Sequence, residues 1–203
     1  MHRLLATAAL ALALSTPAIA QAPAAPAGPI TDPAAAAAGT YVLDQGHASV
    51  VVRLMHLGLS HYAMSFNKVD AKYTYDPKAP TASKIEVSID AASLDTGIQN
   101  HSEHFANDFM GAKEHPKITF VSTAIQPGSG NTGKVIGDLT LNGVTKPVTL
   151  DVTYRGFMER MGAARMGFSG KTVVKRSEFG LKAGLPAIGD DVEVTIEAEF
   201  KKS

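Results

Sequence analysis

Histidines are the residues of this sequence best suited to acid–base or metal chemistry, and the chain has seven of them. His101 and His104 are three positions apart, which places both imidazoles on one face of a helix where they could share a metal ion. No acidic residue stands at a spacing that would complete such a site, so no metal is expected. His56 follows Val52 and Leu54 on the same face of an apolar strand and is predicted to point into the interior. Two interpretations stay open, a buried histidine bonded to the backbone and a catalytic one.

Hydrolytic and calcium-dependent chemistry find little support in the other motifs. Gly167–Gly170 reads GFSG, which lacks the G-x-S-x-G spacing of a nucleophile elbow and lies in a strand pattern with no helix after it. Asp190 and Asp191 follow a glycine but lack the remaining ligands of an EF-hand loop. The charged run Lys175–Gly180 interrupts an apolar alternation and fits either a surface loop or a polar lid at the mouth of a barrel. No catalytic residue is therefore predicted.

One short helix interrupts a sequence that otherwise has the pattern of strands. Asn100 is a favourable N-cap with a glutamate three residues later, and Phe105 and Phe109 fall on one helical face. Gly111 is expected to end the helix. The sequence thus predicts a helix at about residues 100–110 whose phenylalanines cover an opening in a sheet or barrel.

The rest of the domain alternates apolar and polar residues with a period of two, which is typical of strands with one buried face. The last predicted strand, residues 192–200, has an entirely apolar inner face and a polar outer face. These features predict an all-β protein, an extended antiparallel β-barrel of about eight strands, because closure removes exposed strand edges. A barrel of that size either fills with side chains or holds one small ligand. The predicted strands are 41–44, 48–57, 66–75, 84–90, 118–125, 134–141, 148–154, 164–174 and 192–200.

The amino terminus has the pattern of an export signal. Residues 1–20 combine Arg3, an apolar run from Leu4 to Leu14 and a small-residue cleavage pattern at Ala18–Ala20. The apolar run is shorter than the ~20 residues that span a bilayer. Residues 21–39 are mostly Ala and Pro and are predicted to form a disordered tether, with a short helix at 34–38 as the alternative. The folded domain is predicted at residues 40–203, located in the periplasm or secreted.

Charge and cysteine content exclude several classes of function. Removing residues 1–20 removes one basic residue and no acidic one, which leaves 18 basic and 19 acidic side chains. A nearly neutral surface without a basic cluster gives no electrostatic basis for binding nucleic acid. The chain has no cysteine, which rules out disulfides, thiol catalysis, thiolate metal sites and haem attached through cysteine. An apolar core must therefore hold the fold together.

Several ordered segments of this chain resemble the YceI family, and the resemblance spans about residues 40–201. They are YVLD at 41–44, HAS at 47–49, the strand 52–56 with Leu57-Gly58, DTG at 95–97, NDF at 107–109 with HPKITF at 115–120, GDLTLNGVTKPV at 137–148 and RSEFG at 176–180. The resemblance implies a lipocalin-like barrel in the periplasm whose lumen binds a long isoprenoid chain, either a polyprenyl lipid or a quinone tail. It implies no established catalysis and no required cofactor.

The function expected from this resemblance is that of a carrier, store or scavenger of an isoprenoid lipid. His56 and Arg176 are the polar groups expected to meet the head group. Two alternatives remain, an enzyme acting on a quinone or prenyl substrate in the same cavity and a filled barrel with a structural or partner-binding role. A homodimer, a transient contact with the inner membrane and a role in stress defence are left open. The residues predicted to line the lumen are Val52, Leu54, His56, Phe66, Phe109, Phe120, Leu139, Leu141, Leu150, Phe168, Arg176 and Phe179.

Overall fold

The computed structural model describes residues 28–203, and ten strands form most of this part of the chain. The predicted signal peptide lies outside the described residues. The strands are β1 Gly39–His56, β2 Ser60–Phe66, β3 Val69–Tyr75, β4 Lys84–Asp90, β5 Leu94–Asp95, β6 Lys117–Pro127, β7 Thr132–Leu141, β8 Val144–Arg160, β9 Ala163–Lys175 and β10 Ile188–Lys202.

Eight of the strands form a closed antiparallel barrel. From β10 the order runs β9, β8, β7, β6, β4, β3 and β1, and β1 also pairs with β10. Strand β2 continues the line of β3 alongside β1, and the two-residue β5 pairs with the last two residues of β2, Ser65 and Phe66. The all-β class, the closed barrel and the number of strands predicted from the sequence are confirmed.

Strand β1 is the longest element and differs from its prediction. Its first residues pair with β3, with Val42 opposite Lys72, and its second half pairs with β2, with Val50 opposite Phe66. The segments predicted as two strands at 41–44 and 48–57 are therefore one strand, because β10 pairs with both across a register irregularity between Leu43 and Ala48. The segment predicted as one strand at 66–75 is divided between β2 and β3.

The helix lies where it was predicted but begins differently. Helix α1, Gln99–His104, starts after Ile98, whose side chain makes no cap hydrogen bond, so Asn100 is inside the helix rather than its N-cap. A π-helical turn, Phe105–Phe109, continues α1. The Ser102 hydroxyl, and not an asparagine side chain, bonds the segment before the helix: the Thr96 amide donates to Ser102 Oγ at 3.0 Å. Gly111 ends the segment with a φ of 66°, as the sequence predicted.

Two clusters of buried apolar residues occupy the two ends of the barrel. One contains Phe66, Leu141 and Phe179, and it packs against the helical segment. The other contains Tyr41, Phe157 and Phe200. Among residues 28–203, none of the helices is long and apolar enough to cross a membrane.

Residues 28–38, which we call the strap, pack against the second of these ends. Ile30 forms a two-way backbone bridge with Phe157, and Ala36 is 2% exposed. A single 3-10 turn, Pro33–Ala35, begins at Asp32. This placement corrects the prediction of a disordered tether for the part of 21–39 that the structure describes. Proline and alanine offer little apolar surface of their own, but aromatic side chains and hydroxyl donors of the barrel order this segment.

Candidate functional site

The barrel encloses an apolar cavity of about 620 Å³. This volume lies within the ~300–1,000 Å³ that is usual for small-molecule sites. The residues lining the cavity come from every strand around the wall, from the helical segment and from the strap. A chain this rich in inward-facing apolar residues has therefore not filled its interior completely.

Alternation along the strands produces the apolar lining. Val52 on β1 lies opposite Val194 on β10, and both belong to the rows of side chains that face the lumen. On β8, Leu150 faces the lumen, whereas its neighbours Thr149 and Asp151 are exposed. Because successive side chains point to opposite faces of a strand, one polar and one apolar surface arise from the same segment.

Glycine on β9 leaves part of the central lumen open. Gly170 lies opposite Ile196 on β10 and Val152 on β8, so it belongs to an inward-facing row. A Cβ built on Gly170 would lie 3.6 Å from the nearest atom, Ile196 Cβ, which is ordinary van der Waals contact. The backbone there would therefore accept a side chain, and a large one would project into the cavity.

The helical segment closes one side of the lumen next to β2. The rings of Phe105 and Phe109 stack with centroids 4.7 Å apart, and Phe105 also lies 5.7 Å from Tyr62 on β2. Phe105, Phe109 and Met110 line the cavity. The four-residue spacing read from the sequence thus places both phenylalanines against the barrel interior.

Arg176 closes the end of the barrel at which β1 ends and β10 begins, which we call the arginine end. The side chain is 5% exposed and lines the cavity. Its Nε donates to Gly189 O at 2.8 Å, Nη1 to Leu181 O at 2.9 Å and Nη2 to Ile188 O at 2.9 Å. Burial lowers the pKa of the Arg176 guanidinium, while nearby Asp190 opposes that shift. Arg176 therefore ties the loop after β9 to the start of β10.

Asp190 holds the same loop from the outer side. Its carboxylate accepts hydrogen bonds from the Ser177 amide at 2.8 Å and from Ser177 Oγ at 2.7 Å. The Ser177 hydroxyl, its amide and the nearby cations Lys175 and Arg176 lower the pKa of Asp190 below its ordinary value of 3.8. The charged run at 175–180 thus forms a hydrogen-bonded turn at the barrel end. The sequence alone is compatible with either a surface loop or a polar lid there.

We expect Asp190 to make barrel stability depend on pH in acid. A carboxyl with a lowered folded-state pKa contributes stability above its unfolded pKa and loses it as the pH falls through the folded pKa. The contribution of Asp190 should therefore be intact above about pH 4 and decline below it. The melting temperature of Asp190→Asn, measured between pH 2 and pH 7, should fall less steeply in acid than that of the wild type. Asp191→Asn, which removes only an exposed ion pair with Lys175, should alter the melting temperature far less.

The opposite end of the lumen, which we call the tyrosine end, is built from tyrosine rings. Tyr73 stacks on Tyr75 with centroids 5.8 Å apart and meets Phe168 edge-on at 5.4 Å. Burial raises the pKa of Tyr73 to about 12 and raises that of Tyr154 as well. These hydroxyls therefore stay protonated at neutral pH. Among residues 28–203, the Tyr154 hydroxyl has no hydrogen-bond partner.

Ten of the twelve residues predicted to face the lumen line this cavity, and two do not. His56 is exposed because β1 ends there and the chain turns at Leu57, which corrects the prediction that it points inward. Phe179 is 2% exposed but packs into the buried cluster at the arginine end. Whether any of these residues contacts a lipid stays a prediction. The ten lining residues are Val52, Leu54, Phe66, Phe109, Phe120, Leu139, Leu141, Leu150, Phe168 and Arg176.

The list predicted from the sequence omitted parts of the wall. Tyr73, Ile85 and Val87 line the cavity from β3 and β4, and the alternation of those strands already indicated that they face inward. Asp32 and Pro33 of the strap also line it. Nothing in the local pattern of the strap signals this position, because it depends on contacts with strands far away in the sequence.

The polar clusters of the described chain do not form an evident catalytic or metal centre. His104 Nδ1 lies 2.6 Å from Asp108 Oδ2 on the surface. Asp44, His47 and Glu199 are close enough to share an ion, but Arg165 Nη1 lies 2.6 Å from Asp44 Oδ2 and 3.5 Å from Glu199 Oε2. The guanidinium of Arg165 already pairs with both carboxylates, so the cluster is a surface ion-pair network.

Comparison with known sequences agrees with this architecture. A family model described as the YceI-like domain matches residues 41–200. A UPF0312 protein of Pseudomonas aeruginosa is 36% identical over 168 residues, which cover 81% of this chain and 87% of that protein. A UPF0312 protein of Pseudomonas putida is 37% identical over 172 residues, covering 82% and 90%.

Solved structures share the fold as well. BcnA of Burkholderia cenocepacia superposes with a TM-score of 0.69 at 29% identity, covering 77% of this chain and 98% of that one. The YceI protein of Campylobacter jejuni gives a TM-score of 0.64 at 30% identity, covering 73% and 90%. A domain from Saccharophagus degradans described as polyisoprenoid-binding gives 0.64 at 14% identity, covering 82% and 100%. With a family model that matches the whole barrel from β1 to β10, this chain belongs to the YceI-like family.

Proposed function

We propose that this protein holds a long isoprenoid chain, from a polyprenyl lipid or an isoprenoid quinone, inside the barrel. The observation that carries the proposal is the apolar cavity of about 620 Å³, lined from the arginine end to the tyrosine end. The membership in the YceI-like family supports it, as does the description of the Saccharophagus degradans domain as polyisoprenoid-binding. The cavity also argues against a barrel filled by its own side chains.

Hydrophobic burial is sufficient to give such a ligand useful affinity. Moving one five-carbon isoprene unit from water into the lumen contributes at most about 4 kcal/mol, at about 0.8 kcal/mol per carbon. Micromolar binding requires about 8 kcal/mol, so two or three buried units suffice. A bilayer offers the same units an equally apolar environment. The apolar lumen therefore retains a lipid in water but does not by itself extract one from a membrane.

Selectivity must then come from the shape of the lumen and from polar groups at its ends. Arg176 carries five N–H donors, of which three bond Leu181, Ile188 and Gly189. The two remaining N–H groups are available to an oxygen of a head group at the arginine end. His56 lies outside the lumen, so it could meet only a head group that projects from the barrel.

We further propose that the protein acts in the periplasm as a carrier, store or scavenger of this lipid. The signal-peptide pattern of residues 1–20 supports the location. A lumen that shields an apolar chain from water supports each of the three roles, because a lipid crossing an aqueous compartment must be covered along most of its length.

Native mass spectrometry of the mature protein, purified from its own periplasm without detergent, tests the proposal. We expect a stoichiometric mass increment that organic extraction identifies as an isoprenoid lipid or quinone. A ligand-free mass, with no uptake after adding isoprenoid quinones or polyprenyl lipids, would refute the proposal and leave a barrel whose cavity serves another ligand or none.

A further inference from the structure

The strap is held in place by specific contacts although it lies outside the residues that match the family model, 41–200. The Ile30 amide donates to Phe157 O at 2.8 Å, and the Phe157 amide donates to Ile30 O at 2.8 Å. The Ala34 amide donates to Asp32 Oδ1 at 2.9 Å, which caps the 3-10 turn. The strap is therefore packed against the barrel through defined hydrogen bonds and is not a linker without contacts.

Two tyrosines of the barrel fasten the strap across the tyrosine end. Tyr75 OH donates to Pro33 O at 2.8 Å, and Tyr41 OH donates to Ala37 O at 2.6 Å. Burial raises the pKa of both phenols, so both remain donors at neutral pH. Between these two anchors Ala36 is 2% exposed and packs in the buried cluster with Tyr41 and Phe157.

The strap also forms part of the cavity wall. Asp32, Pro33 and Ala34 line the cavity together with Tyr75 and Tyr154. An apolar chain whose head group lies near Arg176, as proposed above, would run along the lumen and therefore meet the strap at the tyrosine end. The strap therefore covers part of the tyrosine end of the lumen, as a floor would.

We infer that the strap is the floor of the ligand site and sets the length of isoprenoid chain that the barrel accepts. The inference rests on the proposed function. Chain units gain free energy only while they leave water, so affinity should rise with chain length until the chain reaches the strap. Further units must stay outside the lumen or displace the strap, which breaks its hydrogen bonds and exposes Ala36. Affinity should then stop rising.

A pair of matched variants tests this inference. Ala36→Asp places a carboxylate at a buried position, which is costly without a partner and should release the strap. Ala35→Asp introduces the same charge at the exposed neighbouring residue and should leave the strap seated. Hydrogen exchange of the Phe157 amide, which donates to Ile30, reports the release directly. A variant that begins at Gly39, the first residue of β1, removes the strap altogether.

The probes are isoprenoid quinones with the same head group and increasing tail length, measured by displacement of an apolar fluorescent dye. We expect affinity to level off with tail length in the wild type and in Ala35→Asp. In Ala36→Asp and in the variant that begins at Gly39, affinity should keep rising with tail length. The quinone with the longest tail should bind these variants at least tenfold more tightly than it binds the wild type. The same plateau in the variant without a strap would overturn the inference while leaving isoprenoid binding intact. Failure of every quinone to bind the wild type would overturn the proposed function, and this inference with it.

Discussion

Gly170→Phe should weaken isoprenoid binding by more than a hundredfold and leave the barrel folded. Gly170 faces the lumen between Leu150 and Ile196, and its backbone has room for a Cβ. Phenylalanine is favourable in a strand, so the ring should occupy part of the lumen at little cost to the fold. If the ring excludes one isoprene unit, the loss is about 4 kcal/mol, or more than a hundredfold in the dissociation constant. Dye displacement by an isoprenoid quinone measures this loss.

Val173→Phe is the matched control for this prediction. Val173 lies on the same strand, β9, but is 59% exposed on the outer face, so its added ring should leave the dissociation constant unchanged. Thermal unfolding should show Gly170→Phe to be at least as stable as the wild type without ligand, because the ring occupies empty volume. A folded Gly170→Phe variant that binds with wild-type affinity would place the ligand outside the lumen.

Arg176→Ala should have the largest effect on stability of any single change at the candidate site. The substitution leaves the carbonyl groups of Leu181, Ile188 and Gly189 without the donors that now satisfy them. At about 1 kcal/mol for each unsatisfied group, the free energy of unfolding should fall by roughly 3 kcal/mol. For a chain of this size the melting temperature should drop by roughly 6–12 °C. Denaturant and thermal unfolding of the ligand-free protein measure both quantities.

Arg53→Ala serves as the comparison, because Arg53 is an exposed arginine whose ion pair with Glu193 spans 3.8 Å. Its loss should change the free energy of unfolding by less than about 1 kcal/mol. Arg176→Lys should recover only part of the loss, since an ammonium group does not reproduce the planar fork that reaches three carbonyls. An Arg176→Ala variant as stable as Arg53→Ala would show that the guanidinium does not hold the arginine end together.

The barrel could be predicted from sequence because its physical cause is local. Alternation at 84–90 and 192–200 needs only neighbouring residues to specify which face is buried, and the polar outer face of the last strand already indicated a wall. The unbroken run of β1 was harder to predict. Gln45-Gly46-His47 reads as a break, but pairing with β10 on both sides of it keeps the strand continuous. Strand β2 was missed in part because its first two residues, Ser60 and His61, are polar and exposed.

The candidate site was predictable only where lumen-facing positions follow from alternation. Phe120, Leu139 and Leu150 were found in this way. His56 continues the pattern of Leu54, but β1 ends there, and the end of a strand depends on a turn that alternation does not encode. Arg176 was selected as an interruption of an apolar face, whereas its hydrogen bonds to the start of β10 depend on tertiary contacts. The strap was missed for the same reason.

The most direct test of a ligand inside the lumen is a measurement of which side chains touch it. Nuclear Overhauser contacts between the methyl groups of a bound isoprenoid quinone and assigned methyl groups of the protein provide it. We predict contacts to the inward-facing methyl groups of Val52, Leu150 and Ile196, which line the cavity. Contacts confined to exposed residues such as Leu59 and Val173, which are 83% and 59% exposed, with none to the inward-facing set, would contradict the account.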